Sequence, residues 1–185
     1  MTDSRLQKAL QTVGEALSII DQEEVNRACE IIASASRIGI YGCGREGYQM
    51  RGFAMRLFHL GLDVGYVGDT TMPPLGDGDV LVVSAGPGEL ATVNAHLATA
   101  QKAGAKTVFL TAEPDTAAAA LADLILTIPA QTMASDATAA PDSILPMGSV
   151  YEGALFFLFE LMVAELRAKL DESAESMRVR HTNME

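Results

Sequence analysis

Two glycine-punctuated turns hold the residue types best placed for chemistry: Tyr41-Gly42-Cys43-Gly44-Arg45-Glu46-Gly47 and Ser84-Ala85-Gly86-Pro87-Gly88-Glu89. Each follows a short apolar run, Ile38 to Tyr41 and Val80 to Val83, and precedes a long amphipathic segment. A strand, a tight glycine turn and a helix N-terminus together aim free backbone N–H groups and the positive end of a helix dipole into one crevice. Such a crevice favours an anion, commonly a phosphate. Beyond Ser84 at the edge, neither turn carries the hydroxyl residues that usually complete a phosphate cradle.

Other chemistries are poorly supplied. Cys29 and Cys43 have no metal-ligand spacing, and His59, His96 and His181 lie far apart, so no metal site and no metal catalysis are expected. The two cysteines suit a reducing cytoplasm better than a disulfide framework. Cys43 beside a helix N-terminus has a reason for a lowered pKa, but Glu46 opposes it and the turn needs only a small residue there. The formal charge of −11 and pI near 4.6 argue against a nucleic-acid or anionic-membrane surface. No apolar stretch reaches spanning length and the polar start, Met1 to Arg5, is no signal peptide, so a cytoplasmic protein is expected.

The elements that must position the turns alternate along the chain. Helices are expected at Arg5 to Ile20 and Glu23 to Ser34, with Asp21-x-x-Glu24 as the N-cap signal between them. A strand at Arg37 to Tyr41, a helix at Arg45 to Leu60 closed by Gly61, and a short strand at Val64 to Val67 follow. Next come a strand at Val80 to Ser84, a helix at Leu90 to Ala103 ended by Gly104, and a strand at Lys106 to Thr111. Asp115 is expected to cap a short alanine-rich helix before a fifth strand at Leu124 to Ile128. This alternation implies right-handed crossovers and a mainly parallel sheet covered on both faces, an α/β three-layer αβα sandwich of Rossmann-like type.

Pro129 to Met147 has no periodicity and reads as a long loop, mobile or acting as a lid beside a site. Ser149 then opens a strongly apolar helix to about Leu170, with Ser149-x-x-Glu152 in the spacing of a capping box, before a short charged tail helix. Leu155 to Phe159 and Leu161 to Val163 are too many apolar residues for one buried stripe. The second face meets either another subunit or the rest of its own domain.

The residues now carry a resemblance. The glycine turns, Phe53-Ala54-Met55-Arg56-Leu57 with His59-Leu60-Gly61, Pro146-Met147-Gly148-Ser149 leading to Glu152, and the ending Met177-x-x-x-His181-x-Asn183-x-Glu185 resemble the 6-phospho-3-hexuloisomerases. Those enzymes belong to the SIS (sugar isomerase) domain superfamily, and the similarity runs over essentially the whole chain. The resemblance implies a five-stranded parallel sheet and a single SIS domain over 1–185. It also implies a homotetramer, with helices in 1–36 and 149–185 packed in oligomer contacts and sites at subunit boundaries. The implied activity is a metal-free, cofactor-free isomerisation of ketose phosphates. A nicotinamide site on Gly42-x-Gly44-x-x-Gly47 is the alternative from another class. It is weakened because no acidic residue closes the second strand near Val67, although Asp69 lies close.

Residue by residue, the resemblance assigns Glu152 as catalytic base and His181 as proton shuttle, donated across a subunit boundary. Gly44, Arg45, Glu46, Ser84, Ala85, Gly86, Gly88 and Glu89 become the substrate-binding set. Without it, Glu152 is also a helix cap, His181 a solvated tail residue and His59 a core residue. The chain departs from the family at the loops. Glu46 stands where the family has serine, and Ala85, Pro87 and Leu90 replace hydroxyl residues, Pro87 also removing a backbone donor. The Glu46 carboxylate is expected to take the anion position itself, held by backbone N–H groups and Arg45. Two functions follow: a sugar-derivative isomerase with an altered anion site, or a non-catalytic carbohydrate-derivative-binding protein on the same scaffold.

Overall fold

The computed structural model describes residues 2–136 and 144–184. Two helices open it, α1 (Thr2–Ser18) and α2 (Gln22–Ser34). Asp21 caps α2 by accepting the Glu23 N–H at 2.8 Å. The Glu24 carboxylate reaches the Thr127 N–H at 2.8 Å, which ties α2 to the far edge of the sheet. Strands and helices then alternate as β1 (Ile38–Gly42), α3 (Gly44–His59), β2 (Val64–Tyr66), β3 (Val80–Ser84), α4 (Ala91–Ala103), β4 (Lys106–Thr111) and β5 (Leu124–Thr127). The chain closes with α5 (Ser149–Lys169) and α6 (Ala174–Val179).

All strand pairs are parallel, in the order β2-β1-β3-β4-β5. The order reverses between β1 and β3, so their C-terminal ends flank the crevice where open α/β sheets bind ligands. Register makes the crevice tight: Gly42, the last residue of β1, lies opposite Ser84, the last of β3. Both glycine turns therefore start side by side.

Strand periodicity divides the core. Val80 and Val82 of β3 face α2, α3 and α5, while Leu81 and Val83 face α4. The three layers are uneven, because α1 packs outside α5 and among the described residues the α4 face adds only a 3-10 turn at Ala119–Leu121. That turn stands where an Asp115-capped helix was expected. Thr116 does the local work, its hydroxyl donating to the Gly88 carbonyl at 3.1 Å and accepting the Ala119 N–H at 3.3 Å.

The α5 entrance also differs from expectation. Its N-cap is Gly148 at φ 83°, with no side-chain cap, and the Glu152 N–H bonds the Gly148 carbonyl at 3.1 Å. No Ser149–Glu152 capping box forms, which frees the carboxylate. Gly148 is needed because a Cβ there would lie 2.9 Å from the Met133 nitrogen. The loop before α5 is anchored at its described start, with the Gln131 carbonyl accepting the Tyr151 N–H at 3.2 Å. Residues 137–143, within the stretch expected to be a mobile loop or lid, lie outside the described residues.

Inward, α5 buries Tyr151, Leu155, Leu158, Phe159, Met162 and Leu166, among others. Phe53 of α3 stacks on Phe159 with ring centroids 4.3 Å apart. Phe156, Phe157 and Leu161 of α5 stay exposed even with α1 in place, beside exposed Met55 of α3. No described helix is long and apolar enough to cross a membrane.

Candidate active site

The crevice is built from the two turns and the first turn of α5. Gly44 starts α3 at φ 55°, a backbone that costs other L-residues strain. Gly47 packs against the strand it has just left, and a Cβ there would lie 2.6 Å from the Gly42 carbonyl oxygen. Tyr66 locks the same corner: its hydroxyl donates to the Gly42 carbonyl at 2.8 Å and accepts the Gly42 N–H at 3.3 Å. The N-terminus of α3 is thus fixed against β1 from two sides.

Glu46, in the first turn of α3, reaches into the second glycine turn. Its Oε2 accepts the Ser84 hydroxyl at 2.7 Å and the Gly86 N–H at 3.0 Å. Two further donors of that turn are also committed. The Ala85 N–H goes to the Leu110 carbonyl at 3.0 Å and the Gly88 N–H to the Ala85 carbonyl at 2.9 Å, while Pro87 has none. The Glu46 carboxylate therefore sits on the second glycine turn, held by donors of that turn. Arg45 points elsewhere.

Arg45 pairs with Glu152 of α5, Nη2 to Oε2 at 3.0 Å, and approaches the Ser149 hydroxyl at 3.5 Å. Glu152 is 8% exposed, and its Oε2 accepts no hydrogen bond despite the ion pair. Burial raises the Glu152 pKa, and the Arg45 charge acts against that shift. Burial likewise raises Glu46; the Gly86 and Ser84 hydrogen bonds lower it, and the nearby Glu152 charge pushes it further up. A buried carboxylate made more basic by burial, with a guanidinium beside it that favours the ionised form, is suited to take a proton from carbon.

Tyr151 belongs to this site although no sequence motif marks it. It is fully enclosed, its hydroxyl lies 3.1 Å from the Ser84 Oγ, and its ring would be 3.0 Å from a Cβ on Gly86. The available signal is one tyrosine at the start of an otherwise aliphatic and phenylalanine-rich helix, because a buried phenol needs a polar partner. Burial and the Glu46 charge hold its pKa well above the ordinary range.

The structure thus gathers Gly44, Arg45, Glu46, Ser84, Ala85, Gly86 and Glu152 at one end of the sheet. Gly88, at φ 88°, packs against Glu113 and Thr116. Glu89 turns outward to accept the Ala117 N–H at 3.0 Å. His181 is not brought to Glu152 within one chain. Its exposed ring stacks on the buried His59 at 5.2 Å, at the other end of α3. Sixteen helical residues separate the two ends of α3, roughly 22 Å at 1.5 Å per residue.

Shape alone points to a different place. A cavity of about 460 Å³ lies between α3 and β2, lined by Arg51, Asp63, Tyr66 and Asp69 among others. Arg51 is already paired there with Asp69 at 3.3 Å and lies 3.6 Å over the Tyr66 ring. Neither Glu46 nor Glu152 lines it, so the site is assigned by its chemistry. Among the described residues no cluster of three or more His, Cys, Asp or Glu is arranged to hold a metal ion.

The raised Glu46 pKa has a thermodynamic consequence. The folded state holds the Glu46 proton more tightly than the unfolded chain does, so its contribution is full in acid and is lost as pH rises through the folded value. Glu46→Gln removes that loss while keeping an acceptor for Ser84 and Gly86. The melting temperature of Glu46→Gln relative to wild type is expected to climb between pH 4 and pH 7 by scanning calorimetry. A difference independent of pH would mean that Glu46 titrates normally.

Comparison with known proteins places this chain in one family. The SIS domain model matches residues 31–156. The chain is 35% identical over 173 residues to the 3-hexulose-6-phosphate isomerase of Mycobacterium gastri, covering 94% of this chain and 86% of that one. It is 29% identical over 184 residues to the Bacillus subtilis protein of the same name, covering 100% and 99%. A Methanococcus jannaschii crystal structure, from which a molecular function of 3-hexulose-6-phosphate isomerase was inferred, aligns at a TM-score of 0.83 and 26% identity over 96% of this chain and 99% of that one. The chain belongs to the SIS domain family.

Proposed function

We propose that this protein is an SIS-type sugar isomerase that moves a carbonyl along a sugar by proton transfer, with its site completed between subunits. The observation that carries this reading is Glu152: buried, outside any capping box, and paired with Arg45 at the crevice between β1 and β3. In this reading the Glu152 carboxylate takes the proton from a hydroxyl-bearing carbon beside the carbonyl. The resulting enediol is reprotonated at the neighbouring carbon, which shifts the double-bonded oxygen without any net change in oxidation state. The Arg45 charge favours the ionised base against the burial that raises its pKa. Relatives named 3-hexulose-6-phosphate isomerase over nearly the full chain support the same reaction class.

His181 of a neighbouring subunit is the proposed acid that shuttles protons between the sugar oxygens. The exposed Phe156, Phe157 and Leu161 on α5 and Leu6 and Leu10 on α1 support an assembly through these helices, and a homotetramer is the proposed state. The cytoplasm is the proposed location, with a single domain over 1–185. Gly44, Arg45, Ser84, Ala85 and Gly86 are the proposed substrate contacts in the crevice, with Glu46 setting its charge. Gly88 and Glu89 shape the second turn from behind.

A second reading, a non-catalytic binder of a carbohydrate derivative, is favoured by one observation: Glu46 already holds the Gly86 N–H and Ser84 hydroxyl. Incubation with ketohexoses and their 6-phosphates, followed by carbon NMR, separates the two. Conversion of a sugar by an oligomer, slowed by His181→Ala with little change in binding, is the expected result. No conversion across the set, or full activity from a monomer by light scattering, would contradict the shared catalytic site.

A further inference from the structure

The turn after β3 has the form of an anion site, yet the Ser84 hydroxyl and the Ala85, Gly86 and Gly88 N–H groups are filled from within the chain. Glu46 Oε2 takes both the Gly86 N–H and the Ser84 hydroxyl, Ala85 and Gly88 bond backbone carbonyls, and Pro87 offers nothing. Glu46 Oε1, by contrast, meets no donor among the described residues and lies 3.0 Å from where a Cβ on Gly86 would sit. A second carboxylate, that of buried Glu152, lies beside it with an Oε2 that accepts no hydrogen bond. Among the described residues only Glu152 of these two neighbouring carboxylates pairs with a guanidinium, that of Arg45, which leaves the crevice short of positive charge and rich in acceptors.

We infer that Glu46 is a specificity-determining residue that acts as a resident anion, so that the crevice receives an uncharged, hydroxyl-bearing end of a sugar and turns away a phosphate. A sugar hydroxyl can donate to Glu46 Oε1 and to Glu152 Oε2, which satisfies the acceptors left open. A phosphate dianion would bring only acceptors and more negative charge into the same space. It would also have to displace a carboxylate from the donors it needs. Gly86 suits the arrangement, since a Cβ there would lie 3.0 Å from Glu46 Oε1 and from the Tyr151 ring and would crowd both.

This inference rests on the crevice being the sugar site, and its test reads affinity alone. Titration calorimetry with fructose, fructose 6-phosphate and inorganic phosphate is run on wild type, Glu46→Gln and the triple variant Glu46→Ser, Pro87→Ser, Leu90→Thr. Wild type is expected to bind fructose 6-phosphate no more tightly than fructose. Glu46→Gln, which keeps the side chain but not its charge, should tighten fructose 6-phosphate several-fold. The triple variant, which also frees donors, should tighten it by on the order of tenfold or more, with phosphate following the same order. If the triple variant does not fold, the Glu46→Gln comparison decides alone. If wild type binds none of the three probes, acquisition of phosphate affinity by the variants supports the inference and its absence overturns it. Wild-type binding of fructose 6-phosphate more than about tenfold tighter than fructose, unchanged by Glu46→Gln, also overturns it. A protein that converts no sugar yet gains phosphate affinity on losing the Glu46 charge would sink the isomerase reading and leave this one standing.

Discussion

Glu152→Gln is expected to lower turnover by about 10²- to 10⁴-fold, the range that a positioned general base supplies. The amide is nearly isosteric and no capping hydrogen bond depends on the carboxylate, since the N-cap of α5 is Gly148. Folding should therefore survive, and circular dichroism of the variant should match wild type. The Arg45 pair is lost, but Arg45 is largely exposed, so its release into water costs little. Steady-state rates on whichever sugar wild type converts are the measurement. A variant with wild-type turnover would reduce Glu152 to a partner for Arg45 and return the site to a binding role.

Gly47→Ala is expected to destabilise the protein by about 2–4 kcal/mol, at or above the usual cost of overpacking because the obstacle is backbone. The new methyl would lie 2.6 Å from the Gly42 carbonyl and 3.0 Å from the Tyr66 hydroxyl, so α3 must move off β1 or Tyr66 must give up its bonds to Gly42. The control is in the same helix. Gly52 is exposed with nothing within 4 Å of a built Cβ, so Gly52→Ala should stabilise by about 0.5–1 kcal/mol through the unfolded chain and helix propensity. Urea denaturation of the pair separates close packing from propensity, and equal effects at the two positions would refute the packing account.

Much of the fold could be read directly. Apolar runs placed all five strands within a residue or so of their observed ends, because buried parallel strands leave continuous hydrophobic signals. Local chemistry misled in two places. Asp115 and the alanines after it look helical, but Thr116 bonds Gly88 and the segment closes as a 3-10 turn. Ser149-x-x-Glu152 has capping-box spacing, yet Gly148 at positive φ starts α5 one residue earlier and leaves Glu152 to face Arg45.

The site was legible by position and less so by partner. Glu46 at a helix start could be expected to meet backbone N–H groups, but that these belong to Gly86, 40 residues on, follows only from the β1–β3 register. The packing of α5 on α3 decides Arg45, since it brings Glu152 within reach while Glu46 is drawn the other way. Tyr151 was missed because its role depends on a hydroxyl 67 residues earlier in the chain. His181 sits at the far end of α3, so its proposed role depends on a second chain, which no single-chain pattern can express.

The most direct test of the central account is solvent exchange in deuterium oxide, read by proton and carbon NMR on the sugar that wild type converts. Proton transfer by Glu152 predicts deuterium appearing at a carbon next to the carbonyl in both substrate and product, at rates that collapse in Glu152→Gln. Exchange that continues undiminished in Glu152→Gln, or conversion with every carbon-bound proton retained and no sensitivity to that substitution, would contradict it.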